Sequence, residues 1–166
     1  MCILNQPRNT QDPTVNKLRA AMIHRGLWMG LLLKEARQRG LPWEELGHAA
    51  IRSTGCLHGA GIQERMAVPG SLVSFTETFL SEDVRKVFEI EVKQLDESEM
   101  RVEFGHCPLV TAWKQIGVDR DMIATLCDIA MSGDRGIIGC FPEFQFHLGR
   151  TIAQGHPVCE VSVTRG

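Results

Sequence analysis

No run of apolar residues in this sequence is long enough to cross a bilayer. The longest, Leu27 to Leu33, is broken by Gly30 and ends at Lys34, whereas a spanning helix needs about 20. A basic stripe is missing too. The 18 Lys and Arg are interspersed among 20 Asp and Glu, for a net charge of −2, which argues against nucleic acid or an anionic membrane as partner. The opening stretch, Met1 to Thr14, has no apolar core of a signal peptide; it is polar and carries two prolines, and reads as a flexible arm. A cytoplasmic protein is the expectation. No Gly-rich phosphate loop follows a strand pattern and no Gly-x-Ser-x-Gly elbow occurs, so nucleotide and serine-hydrolase chemistries lack support. Paired Cys-x-x-Cys spacing, internal repeats and low-complexity segments are absent as well. No metal or cofactor is expected.

What is there is an ordinary globular composition. The chain has 166 residues, 43% hydrophobic and 23% charged, enough for one domain with a sizeable core. We assign residues 1–14 to the arm and 15–166 to that domain. Helical spacing predicts a first helix from Val15 to Arg39, with Leu18, Met22, Met29, Leu32, Leu33 and Ala36 on its apolar face and Arg25 among them. This Met- and Leu-rich helix is a candidate surface for homo-oligomer formation. A second helix from Pro42 or Trp43 to Thr54 is expected to end in a glycine-bearing loop, Gly55 to Gly61. Another short helix is expected between Pro69 and Phe79. Alternation over Val87 to Lys93, a turn at Asp96 to Ser98 and a return over Met100 to Phe104 read as a hairpin. Helices from Pro108 to Gln115 and from Asp119 to about Gly133 follow, then strands over Glu143 to Leu148 and Val158 to Val163. The fold class is α+β: N-terminal helices plus an antiparallel sheet of about four strands, with two helices inserted between the first and second hairpins.

Six cysteines in a chain without a secretory signal read as free thiols. Cys107 stands where a strand ends and Pro108 opens a helix. The helix dipole and free backbone amides there lower a thiol pKa and can receive an oxyanion. Its position fits a catalytic thiol or a packed core thiol. His106 is adjacent, but neighbours along a strand point to opposite faces. Asp134 falls inside the apolar arc that holds Ile123, Leu126, Cys127, Ala130 and Ile137. A carboxylate there is paired, protonated, lining a pocket, or reaching water at a helix end loosened by Gly133 and Gly136. Cys159 shares the side of Val161 and Val163 on the last strand, as a buried strand cysteine or a pocket thiol. Cys56 with His58, His106 with Cys107, and His156 with Cys159 hold soft ligands for a competing thiol-based metal or redox reading.

Taken together, Cys107-Pro108-Leu109-Val110-Thr111-Ala112-Trp113, Leu126-Cys127-Asp128-Ile129-Ala130 leading to Gly133-Asp134-Arg135-Gly136, and Arg150-Thr151-Ile152-Ala153-Gln154-Gly155 ending in Cys159 closely resemble the L-2-amino-thiazoline-4-carboxylic acid hydrolase family. The stretch from His24-Arg25-Gly26-Leu27-Trp28 to Gly55-Cys56-Leu57-His58-Gly59 is similar to the form of that family found in many bacteria. The resemblance covers roughly Asn16 to Thr164. It implies a small-molecule hydrolase acting on C–N bonds of a cyclic amidine, such as 2-amino-thiazoline-4-carboxylate. Chemical logic then makes Cys107 the nucleophile at the amidine carbon, Asp134 its carboxylate partner and Cys159 a second thiol of the catalytic site. Arg25 or Arg150 grips the substrate carboxylate, and His58 and His106 are further substrate-binding candidates. One departure concerns the substrate: His156 and Pro157 stand where many relatives carry acidic residues. The order of elements is also similar to small-ligand-binding domains of the vinyl-reductase-like and vesicle-tethering type, which points to a non-catalytic binding or sensing domain as the second reading.

Overall fold

A computed structural model describes residues 5–166 of the chain; Cys2 lies outside the described residues. The first helix, α1 (Pro13–Gln38), is capped by the Asp12 carboxylate, which accepts from the amides of Thr14 and Val15, and has Pro13 in its first turn. Ahead of it, Asn5 of the stretch read as an arm is buried against the body of the protein. Its side-chain amide donates to the Cys107 carbonyl and its oxygen accepts from the Cys107 N–H, both at 2.8 Å. The buried face of α1 is Val15, Arg19, Gly26, Gly30 and Leu33; of the expected stripe Leu33 is buried, while Leu18, Met22, Met29 and Ala36 are half-buried at its edge. Leu32, placed on that stripe, is 72% exposed, as is Trp28. The small residues lie inside because α5 (Pro108–Gln115) comes close here, with Trp113 fully buried and donating its indole N–H to the Gly26 carbonyl at 3.1 Å.

Helix α2 (Trp43–Arg65) runs straight through the segment expected to be a loop. Its glycines serve packing rather than a turn. A Cβ on Gly55 would lie 2.0 Å from the Gly133 carbonyl oxygen, and one on Gly136 would lie 2.4 Å from that of Arg52. Two helix backbones therefore touch along this seam, where α2 crosses α6 (Arg120–Ile138). Beside it, His48 Nδ1 is 2.7 Å from the Ser132 hydroxyl, a polar clamp between the same helices. Gly55→Ala is expected to force the helices apart at backbone level and lower stability by roughly 2–4 kcal/mol. Urea unfolding measures it; an unchanged midpoint would show that the seam can relax.

Two short helices, α3 (Leu72–Phe79) and α4 (Glu82–Phe88), begin at the serine caps Ser71 and Ser81. The second of them takes Val87 and Phe88 out of the expected strand. Glu89 then turns the chain with a left-handed backbone, φ 52°. Its carboxylate accepts from the amides of Arg8 and Asn9 and pairs with the buried Arg19 at 2.9 Å. Burial raises the Glu89 pKa, but those amides and Arg19 outweigh it and hold the group below the usual carboxylate range.

The sheet is antiparallel and four-stranded, in the order β1-β2-β4-β3, with β1 (Ile90–Leu95), β2 (Glu99–Phe104), β3 (Phe144–Leu148) and β4 (Cys159–Arg165). Asp96 closes the first hairpin by accepting from the amides of Ser98 and Glu99. Helices α5 and α6 are inserted between the two strand pairs, as expected for this α+β class. Apolar side chains of α1, α5 and α6 pack into one core around Trp113, Leu126 and Ile129. The inner face of the sheet packs with α3 and the end of α6 into a second, around Phe75, Met100 and Val163. No helix of the described residues is long and apolar enough to cross a membrane.

Candidate functional site

A cavity of about 550 Å³ opens along the junction of the two cores. Sheet register gathers its thiols. Strand β2 ends at Phe104, which pairs with Cys159 at the start of β4, and three residues further on Cys107 caps α5. Both sulfurs thus belong to one end of the sheet. From above, α6 contributes Cys127, Ala130, Met131, Asp134 and Ile137 to the lining, the i, i+3, i+4, i+7, i+10 set that puts one helix face on one surface. Thr151 closes the polar group: it caps the short 3₁₀ turn Ile152–Gln154, while the Ile152 N–H donates to Cys159 Sγ at 3.2 Å. Arg25, Leu57, His58 and Arg65 are exposed and form the rim.

The electrostatics decide what these groups do at rest. The amides of Val110 and Leu109 and the guanidinium of Arg25 favour a Cys107 thiolate, as expected for a helix N-terminus. Burial is larger, and it pushes the Cys107 thiol up from its ordinary value. The thiol form of Cys107 is therefore favoured at neutral pH. Burial, reinforced by the Cys107 sulfur, pushes Cys127 up to about 12 and also raises Cys159. Asp134 is pushed up to about 6 by burial, against the pull of its own backbone amide, Arg25 and Arg135. At neutral pH it is mostly ionised, with Arg25 and Cys107 within electrostatic reach.

Burial makes the cavity thiols slow to react with alkylating reagents. Among the described cysteines, Cys56 is the exposed one. Iodoacetamide at pH 7.5 is expected to label Cys56 ahead of the cavity thiols, with Cys107, Cys127 and Cys159 slower by tenfold or more. Peptide mapping of partially labelled protein reads the order, and fast labelling of Cys107 would refute the burial argument.

Of the residues singled out from the sequence, Cys107, Asp134, Cys159, Arg25 and His58 share this cavity. His106 and Arg150 do not line it. His106 is buried on the other side of the strand end, facing Arg19 and Glu89, and lines a separate cavity of about 320 Å³ with Asn5, Thr111 and Lys114. Burial and Arg19 lower its pKa, and its Nδ1 has no hydrogen-bond partner among the described residues. Alternation along the extended chain separates it from Cys107. Arg150 is exposed and grips Glu160 through Nε at 3.1 Å and Nη2 at 2.5 Å. Sequence reasoning missed Thr151 and the wall built by Phe79, Leu80, Val84 and Phe88. It had placed Cys127 on the same arc as Asp134, which was the available signal. Among the described residues no group of three or more His, Cys, Asp or Glu side chains is set to hold a metal ion.

The family described as L-2-amino-thiazoline-4-carboxylic acid hydrolase matches residues 19–163. None of the curated proteins compared with the chain matches it. Among solved structures, trafficking protein particle complex subunit 3 from Naegleria fowleri, covalently bound to palmitic acid, superposes with a TM-score of 0.60. The identity is 9%, over 89% of this chain and 96% of that one, so the likeness is one of fold.

Proposed function

Since the chain belongs to the L-2-amino-thiazoline-4-carboxylic acid hydrolase family, we propose that its cavity hydrolyses a small cyclic amidine by way of Cys107. The observation that carries this reading is the shared lining: a thiol at a helix N-terminus, a carboxylate titrating at about 6 and an arginine in one water-accessible cavity. Nucleophile, base and carboxylate clamp are the parts the reaction needs.

In this scheme Asp134 takes the Cys107 proton as the sulfur adds to C2 of the ring. Of the two ring bonds at C2 it is C–S that breaks here, rather than the C–N bond the resemblance implies, because a thiolate is a better leaving group than an amide anion; the ring sulfur receives that proton, leaving an isothiourea on Cys107. A water then gives a proton to Asp134 and its oxygen to C2, and Cys107 leaves with the proton restored. The product is a carbamoyl-cysteine, and one water is consumed. Amides at the start of α5 stabilise charge that develops at C2. A cationic amidine beside Cys107 favours the thiolate that forms when Asp134 takes the proton, so the thiol is activated by the substrate it attacks. Arg25 takes the ring carboxylate, since Arg150 is occupied by Glu160.

The test is a screen of cyclic amidines and thiazolines with the wild type and Cys107→Ser, read by mass spectrometry for product and for a covalent adduct. Turnover with an adduct on Cys107 supports the proposal; turnover without Cys107 removes the nucleophile. A second reading, a domain that binds a ligand without reacting, draws on the apolar walls of the cavity and on the palmitate carried by the structural neighbour. It predicts retention of a ligand with no product.

A further inference from the structure

The cavity is too large for the ring alone. An apolar cavity of about 150 Å³ holds benzene, with six non-hydrogen atoms, so an occupant of about nine takes roughly 225 Å³. That is less than half of the 550 Å³ present. The catalytic groups occupy one part of the lining, carried by α1, α5, α6 and the loop before β4, while His58 and Arg65 of α2 stand exposed at the rim. The remainder is walled mainly by Phe79, Leu80, Val84 and Phe88 of the α3–α4 region, with the small hydroxyls of Thr78 and Ser81 beside them, and by Leu148 and Val161 of the sheet. Such walls give water few hydrogen-bond partners, so filling the space with apolar groups is favourable.

We infer that the substrate is a thiazoline-type amidine carrying an apolar substituent of roughly six to ten carbons, seated against Phe79, Leu80, Val84 and Leu148. The inference rests on the catalytic reading above. The substituent belongs on the exocyclic nitrogen. The ring carboxylate must stay free for Arg25 and C2 must stay open to Cys107, whereas an N-alkyl group still leaves an N–H for Asp134.

A series of 2-(alkylamino)thiazoline-4-carboxylates from hydrogen through ethyl, butyl and hexyl to octyl tests it in two ways. Turnover by the wild type gives kcat/KM, and calorimetry with Cys107→Ser gives affinity independently of chemistry. Both are expected to rise about threefold to fourfold per methylene over the first several carbons. Val84→Phe, which fills the chamber, is expected to flatten both slopes, with circular dichroism and thermal melting reporting that it folds. If the unsubstituted ring is turned over and neither quantity rises with chain length, the inference fails and the catalytic reading stands. If affinity rises but no member is turned over, the catalytic reading fails and takes with it the assignment of the ligand as a substrate. Octanoate binding as tightly as the octyl thiazoline, or undiminished slopes in a folded Val84→Phe, would also overturn it.

Discussion

Cys107→Ser is expected to lower kcat by at least about a thousandfold while moving the thermal midpoint by no more than about 3 °C. The two halves come from different features of the same residue. Its backbone does the structural work: the N–H and carbonyl of Cys107 hold Asn5, and the carbonyl accepts from the Thr111 amide at 3.2 Å to start α5. None of these bonds involves sulfur, so serine keeps all of them. The sulfur itself lines the cavity, and replacing it there leaves no hole in a packed core. Chemically the swap is severe. A serine hydroxyl is a far weaker acid than a thiol, and Asp134, titrating at about 6, is too weak a base to ionise it. A variant that kept normal turnover would place the nucleophile elsewhere, with Cys159 the first alternative because it lies on the same wall. A variant that lost activity by unfolding would show in the melt.

The contrast between Cys107 and its neighbour His106 also shows what could be read without coordinates. Period-two alternation said that the two side chains diverge, and they do: one enters the large cavity and the other faces Arg19 and Glu89. The hairpin, its Asp96 turn, the helix after Cys107 and the apolar arc carrying Asp134 were legible for the same reason, because each rests on local periodicity or capping. Glycine misled twice. Gly55 to Gly61 looked like a loop, since nothing local distinguishes a glycine that bends a chain from one that admits another helix. Gly26 and Gly30 hid the true inner face of α1 in the same way, because their burial depends on Trp113 and Ala112 across the interface. Arg150 was a candidate because a guanidinium matches a carboxylate; its pairing with Glu160 instead follows from the approach of β4, a contact ten residues away that composition does not reveal. The thiol pKa was misjudged for a related reason. Amides at a helix start are visible in sequence, while the burial that outweighs them is a property of the assembled cavity.

Asp134→Asn is expected to cut kcat/KM at least about a hundredfold and yet to stabilise the protein at neutral pH. Both effects follow from a carboxylate pushed up from 3.8 to about 6 by burial. Its protonated form is the one the fold prefers. The stability linked to this group is therefore complete below the ordinary value, declines as pH rises from about 4 to 6, and stays reduced above that window. Two pKa units correspond to about 3 kcal/mol, and partial access of the carboxyl to the cavity brings the expected gain for asparagine at pH 7.5 to roughly 1–3 kcal/mol. Below pH 4 the advantage should vanish, because wild type then carries a neutral acid at the same place. Taking the difference between the two proteins across pH 3.5 to 8 removes the other titrating groups, which they share. Activity should bend in the opposite sense: the wild-type kcat/KM falls on the acid side with a midpoint near 6, and that limb is missing from the variant. Both curves depend on the folded-state titration, so the stability difference must level off near the pH at which the activity limb has its midpoint. A variant less stable at every pH with its specific activity intact would instead make residue 134 part of the scaffold, and the amidinium would need another partner.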